Sequence, residues 1–294
     1  MLLPNHLTPS QFAQLLKAYR QIYLCLDIDG TLSSFELDPA DSYIPAATLQ
    51  LLAHLQQLDV PIAIITGRGL ADAKRMLGQM NLPIASTHGL EISLNPQTTL
   101  TALTHLDAIN LESINQQKSQ FQQAMRQACQ QQAIQGYLIE EKPYSLALHY
   151  RQNPALQPFV QSLMQSLADD HPDWQLNHGK YVIEILPKGA DKGRAIMTLL
   201  QHYATKNPWL SDCCPIFIGD DVTDEAGFLA VQQAAQISNK CKSMMHYAQG
   251  IGIKVGKAPS QAQWYVNDIE AVQQLLDGLY THCQNIYHKN EVTV

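Results

Sequence analysis

One pattern occurs twice and limits what this chain can fold into. "IYLCLD" (22–27) is an apolar run that stops at Asp27, with Asp29 two residues on and Gly30-Thr31 directly after it. Far along the chain, "PIFIGDD" (215–221) ends the same way, in Asp220 and Asp221. A short, uniformly apolar run bounded by turn residues fits a strand buried on both faces, and such strands need helices above and below a parallel sheet. The intervening sequence supplies them. "PAATLQLLAHLQQLD" sets Leu49, Leu52 and Leu55 on one helical face, and "LADAKRMLGQM" does so with Leu70, Ala73, Leu77 and Met80. "VPIAIIT" (60–66) and "LPIAST" (82–87) are further apolar runs. The alternation predicts βαβ units and a Rossmann-like α/β core with a parallel sheet.

The middle of the chain breaks the pattern. Turn-rich "NPQTTLTAL" near residue 96 leads into a Gln-rich helix over 110–134, whose polarity predicts a largely solvated outer helix. Strands "GYLIEE" and "SLALHYR", a helix at 155–169, and strands "WQLNHG" and "KYVIEIL" follow. Helix, two strands, helix, two strands predicts an α+β insert at 97–187, with the core formed by 1–96 and 188–294. The first style returns with "ADKGRAIMTLLQHY" and continues to about residue 278, beyond which the terminus is expected to fray.

Composition excludes several classes. A net charge of −7 without a basic patch argues against nucleic acid or an anionic membrane as partner. The N-terminus has no basic region before an apolar stretch, and no run is long enough to span a bilayer, which predicts a soluble cytoplasmic protein. The cysteines, Cys25, Cys129, Cys213, Cys214, Cys241 and Cys283, form no CxxC pair and read as reduced, small apolar residues.

Open α/β sheets carry their sites at the carboxyl ends of strands. That edge would gather Asp27 to Thr31, Thr66-Gly67-Arg68, His88-Gly89 and Gly219-Asp220-Asp221. Asp27 and Asp29 face the same way in an extended segment. Two carboxylates so close resist joint ionisation, and a hard divalent cation removes the conflict. Oxygen ligands suit Mg²⁺, which also takes substrate phosphates. The plainer alternative is helix capping by Asp29, Thr31 or Asp224. Lys192, opening a helix, is opposed by the helix dipole and calls for an anion nearby. In the insert, Val182, Glu184 and Leu186 share one strand face, so a carboxylate interrupts an aliphatic pattern. Leu146, Leu148 and Tyr150 oppose Ala147, His149 and Arg151, which predicts an apolar side on the insert's helices and a polar side toward the core. Taken alone, Glu140-Glu141-Lys142 also suits a solvated turn, and His149 a structural histidine.

DxDGT at a strand end, the later TGR, a Lys-Gly opening a helix, and GDDVTDE resemble the four motifs of the haloacid dehalogenase superfamily of phosphatases. "HGLEI", "LALHYR", "VIEILPKGADKG" and "FIGDDVTDE" are similar, in this order, to segments of its trehalose-6-phosphate phosphatase family. The resemblance spans roughly residues 22–275. It implies a C2B-type α+β cap on the core and Mg²⁺-dependent hydrolysis of trehalose 6-phosphate to trehalose and phosphate, the last step of trehalose biosynthesis. It implies Asp27 as nucleophile through an aspartyl-phosphate, and Asp29 as general acid and then base. Thr66 would bond the phosphoryl oxygens, with Gly67, Arg68 and His88 also toward substrate, and Lys192 would neutralise charge. Mg²⁺ would be held by Asp27, the backbone carbonyl of Asp29, and Asp220, with Asp221 and Asp224 supporting its waters and the loop. Glu140, Lys142 and Glu184 match the cap positions that grip the distal glucose. The family commonly has glycine just after the cap lysine, where this chain has Pro143-Tyr144. The implied partner is a small-molecule substrate alone, met by a monomer. A phosphatase for sucrose 6-phosphate or a hexose phosphate remains an alternative. So does a catalytically silent sugar-phosphate sensor, which has no use for Asp29.

Overall fold

The computed structural model describes residues 1–36, 38–95, 98–101, 111–207, 213–236 and 247–291. Tyr23, Leu24, Cys25 and Leu26 are each at most 2% exposed, because their strand, β2 (Gln21–Leu26), lies mid-sheet. Leu24 and Leu26 enter one apolar cluster, Tyr23 and Cys25 the other, so β2 is covered on both faces. Its neighbours are β3 (Ile62–Ile65) and β11 (Cys213–Gly219), both parallel to it. Beyond β3 come β4 (Ile84–Ser86), β5 (Glu91–Asn95) and β6 (Thr98–Thr101); beyond β11 come β12 (Ile251–Val255), β13 (Trp264–Val266) and the short β1 (Asn5–His6). Among the described residues eight of these nine strands run in the same direction; β5 runs against them and pairs antiparallel with both β4 and β6 at one edge. Helices α1 (Pro9–Leu16), α2 (Ala46–Gln57), α3 (Leu70–Leu77) and α8 (Ile269–Glu291) pack on one face, and α6 (Lys192–Lys206) and α7 (Glu225–Gln232) on the other.

The insert forms its own antiparallel sheet. β7 (Leu138–Glu141), β8 (Leu146–His149), β9 (Trp174–Gly179) and β10 (Val182–Pro187) run in the order β7-β8-β10-β9. Helices α4 (Leu111–Gln131) and α5 (Gln157–Asp169) cover one side. Leu146, Leu148 and Tyr150 join Phe121, Met125, Val160 and Met164 in that apolar cluster, as the strand alternation requires. Phe121 meets Trp174 edge-on at 4.9 Å between ring centroids, a favourable aromatic geometry.

Two sequence expectations need adjusting. Residues 98–101 pair within the core sheet, although the insert was expected to begin at 97. The last helix continues to Glu291 rather than fraying near 278, because Val272, Leu275, Leu276 and Leu279 anchor its first half on the sheet. The Gln-rich helix is largely solvated, as expected, and it turns one buried stripe inward at helical spacing: Ile114, Lys118, Phe121, Met125 and Cys129. Cys25, Cys129, Cys213 and Cys214 are buried and unpaired, as expected, while Cys241 lies outside the described residues. Among the described residues no helix is long and apolar enough to cross a membrane.

Candidate active site

The carboxyl ends of β2, β3, β4 and β11 lie along one edge of the core sheet, and the insert's sheet faces that edge across a cleft. The Asp27 amide donates to the Ile218 carbonyl at 3.0 Å, so the chain keeps sheet register up to Asp27 and only then turns. The turn needs Gly30, which has φ +73°; a Cβ there would lie 2.2 Å from Asp220 Oδ2. Asp191 caps α6 by accepting the Arg194 amide at 2.7 Å, which sets Lys192 at the head of the helix. The anion Lys192 called for is present twice over. Its Nζ lies 3.1 Å from Asp27 Oδ1 and 2.7 Å from Asp224 Oδ1. The other Asp224 oxygen accepts the Asp220 and Asp221 amides, both at 2.9 Å.

This floor has too little positive charge. Burial pushes the Asp27 carboxyl well above the usual carboxylate range; Lys192 opposes that, while Asp224 and Asp29 add to it. Burial together with Asp224, Asp27 and Asp221 pushes Asp220 up to about 9. Burial also raises Asp221. For Lys192, burial opposes its charge, but Asp224 and Asp27 outweigh it and the ammonium holds its proton more tightly than usual. Single oxygens of Asp27, Asp220 and Asp224 lie within 4.8 Å of one another, and Asp220 Oδ1 is buried with no hydrogen-bond partner. Such a set of hard oxygen donors fits a divalent cation.

Asp29 and Arg68 form a second unit. Arg68 Nε and Nη2 donate to the two Asp29 oxygens, each at 2.7 Å. The same guanidinium bonds Asp72 and, at 2.9 Å, the Pro39 carbonyl. Burial works against its charge, yet Asp29 and Asp72 hold it charged. Arg68 thus spends its donors on Asp29, Asp72 and the Pro39 carbonyl, two of them orienting Asp29. Thr66 is fully buried at the end of β3, where its Oγ1 accepts the Arg68 amide at 3.1 Å.

The roof comes from the insert. Glu184 Oε2 accepts Lys142 Nζ at 3.0 Å and meets His88 Nε2 at 3.1 Å, and Ser145 donates to its other oxygen. Burial alone would raise Glu184, but Lys142 and His88 hold its carboxyl well below the usual range. Lys142 also donates to the Gly67 carbonyl at 2.9 Å, so roof and floor touch here. Glu140 pairs with His149 Nε2 at 2.8 Å; Lys142 and His149 lower its pKa against the effect of burial. His88 projects from an unusual backbone. Thr87, His88 and Gly89 have φ of +47°, +56° and +92°, and the Thr87 and His88 amides are tied to the Arg68 and Thr66 carbonyls. Non-glycine residues in such conformations cost roughly 1–3 kcal/mol each and concentrate at functional sites.

Asp27, Asp29, Gly67, Arg68, His88, Glu140, Lys142, Glu184, Lys192, Asp220 and Asp221 therefore line one cleft, with Thr66 and Asp224 buried behind it. Sequence reasoning did not name Phe35, Asn177, Lys180, Thr223 or Arg151 among the site residues, and it read His149 as structural; His149 lines the cleft while its bond to Glu140 satisfies it. His149 and Arg151 were recoverable, since alternation had put them on the polar face. Asn177 pairs with Glu184 across the β9–β10 ladder, a register that single-strand patterns do not reveal. Arg151 and Lys180 each lie over the Phe35 ring, at 5.1 and 5.0 Å from its centroid.

Residues 25–270 match the family model described as Trehalose-phosphatase. The chain belongs to the trehalose-phosphatase family. It is 29% identical to the trehalose-6-phosphate phosphatase of Escherichia coli over 90% of this chain and 88% of that protein. It is 33% identical to the probable trehalose-phosphate phosphatase of Sinorhizobium fredii over 78% and 81% of the two chains. In fold, this trehalose-phosphatase family member resembles the C-terminal domain of the C. albicans trehalose-6-phosphate phosphatase, with a TM-score of 0.76, 23% identity, and coverage of 95% and 98%. A sugar phosphatase of HAD subclass IIB shares the fold at a TM-score of 0.52 and 16% identity, over 90% and 99% of the two chains. Core and insert together thus have the architecture of capped haloacid dehalogenase phosphatases.

Proposed function

We propose that this chain hydrolyses trehalose 6-phosphate to trehalose and inorganic phosphate, with the insert acting as the cap. One observation carries the reading: a single cleft sets Asp27 and Lys192 in its floor against Glu140, Lys142 and Glu184 in its roof. Asp27 attacks phosphorus and takes the phosphoryl group as an aspartyl-phosphate, while the sugar oxygen leaves with a proton from Asp29. Asp29 then withdraws a proton from the water that cleaves the acyl phosphate. To do so it gives up one of its two Arg68 bonds while the other keeps it aimed. Thr66, at the end of β3, bonds the phosphoryl oxygens, and Lys192 balances the charge on Asp27. Asp27 and Asp220, with the Asp29 carbonyl, would hold Mg²⁺, while Asp224 fixes the loop through two amides; when bound, the ion offsets repulsion between anionic nucleophile and anionic substrate. We assign the reaction to the cytoplasm, which agrees with the unpaired state of the described cysteines.

The test is phosphate release from trehalose 6-phosphate, sucrose 6-phosphate, glucose 6-phosphate and p-nitrophenyl phosphate, with Mg²⁺ and with chelator. Trehalose 6-phosphate is expected to lead in kcat/KM; a lead by another sugar would overturn the substrate assignment. Excess chelator is expected to silence the enzyme and added Mg²⁺ to restore it and raise Tm, since an ion bound only by the folded state stabilises that state. Full activity in chelator would remove the metal from the proposal.

Glu184→Ala separates sugar grip from cap stability. Losing one or two charge-assisted hydrogen bonds, about 1.5–3 kcal/mol each, is expected to cut kcat/KM for trehalose 6-phosphate by roughly 10- to 10³-fold. Turnover of p-nitrophenyl phosphate, which has no distal sugar, is expected to hold, because remote binding energy serves only substrates carrying the remote group. Parallel losses on both substrates with a lower Tm would mark Glu184 as structural.

A further inference from the structure

Lys118 sits in mid-α4, on the stripe that the helix turns into the apolar core of the insert, and is 5% exposed. A buried ammonium is unfavourable unless its hydrogen bonds compensate. Its Nζ donates to the carbonyl of Lys142 at 2.6 Å and to that of Pro143 at 3.0 Å. The Glu141 carboxylate, 3.4 Å away, is on a side chain 58% exposed, where an ion pair contributes little. Both short bonds therefore go to the main chain of a single turn.

That turn joins β7 to β8 through the Lys142 amide and the Ser145 carbonyl, 3.0 Å apart. The adjacent carbonyls of residues 142 and 143 both accept from this one ammonium. The Lys142 side chain makes different bonds, to the Gly67 carbonyl and to Glu184. One lysine thus fixes the backbone from which another reaches into the cleft.

We propose that Lys118 is a positioning residue for sugar recognition. It does not line the cleft; it acts by holding the Lys142-Pro143 turn so that the Lys142 ammonium stays where the distal sugar arrives. This rests on the reading of Lys142 as a sugar-gripping residue.

Lys118→Met keeps an unbranched apolar stem in an apolar stripe and deletes the charge with both bonds. Kinetics on trehalose 6-phosphate and p-nitrophenyl phosphate, with Tm, are measured for Lys118→Met, Lys142→Met and the double variant. A misplacement of about 1 Å can cost on the order of 10²-fold, so Lys118→Met is expected to lower kcat/KM for trehalose 6-phosphate by roughly 10- to 10²-fold, mainly through KM. Turnover of p-nitrophenyl phosphate is expected to stay within about twofold, since it makes no use of the remote group. The double variant is expected to be no worse than Lys142→Met, the non-additivity of residues that act as one unit. Lys118→Gln, which keeps one donor, is expected to fall in between, and carries the same comparison if Lys118→Met folds poorly. Equal losses on both substrates, or additive losses in the double variant, would overturn the inference. If Lys118→Met alone is silent, this inference falls by itself. If Lys142→Met also fails to discriminate the substrates, the sugar-grip reading falls and takes this inference with it.

Discussion

Asp27→Asn is expected to reduce turnover by on the order of 10⁴-fold or more, the usual consequence of losing a nucleophile, with the fold intact. The amide is nearly isosteric and keeps an oxygen for the Lys192 ammonium, 3.1 Å away in the wild type. It is a poor nucleophile, and it removes a charge that burial, Asp224 and Asp29 already oppose. In chelator, Tm is therefore expected to stay level or rise. Acid quench of the wild type with phosphate-labelled substrate should trap label on the protein, and the variant should trap none. A variant that kept a tenth of wild-type activity would remove Asp27 from the role of nucleophile.

Asp29→Asn is expected to cost roughly 10²–10⁴-fold, the range of general acid–base groups. Both half-reactions should suffer, but unequally across substrates. The leaving group of p-nitrophenyl phosphate departs without much help from an acid, so its first step should survive while hydrolysis of the aspartyl-phosphate slows. The expected signature is a burst of nitrophenol matching the enzyme concentration, followed by a slow steady rate. Because Asp29 also holds Arg68 through two bonds of 2.7 Å, a structural account predicts something else. It predicts lower Tm and equal losses in both steps, with no burst.

The gathering of the floor residues was legible because its signal is local. Carboxylates two residues apart at the end of an apolar run, and a lysine at the head of a helix, conflict with their surroundings wherever the chain places them. That conflict shows in the sequence, and the structure meets it by bringing Asp27, Lys192 and Asp224 together. The two faces of β8 were legible for a similar reason, since alternation alone separates Leu146 and Leu148 from His149. Pairings made between distant segments were not legible. β1 is two residues long and pairs with β13, which no periodicity signals. Thr98–Thr101 has the turn-rich composition of a break, and its pairing with β5 makes it a strand. Lys118 in a Gln-rich helix looks like one more solvated polar residue, and its burial depends on where the turn at Lys142-Pro143 comes to lie.

The contacts of Lys142 with the Gly67 carbonyl and of Glu184 with His88 mean that the groups assigned to the sugar are already satisfied without it. On the proposed reading, a disaccharide phosphate enters by exchange. Each hydroxyl it offers to Glu184 or Lys142 displaces a bond the protein had made with itself, so net affinity is set by how much better the sugar's bonds are than those they replace. A phosphate ester too short to reach the roof makes no exchange at all. It leaves the polar cluster closed above it and meets only the floor. The arrangement therefore favours the right sugar by rewarding a completed swap, while leaving small esters free to react slowly beneath an undisturbed roof.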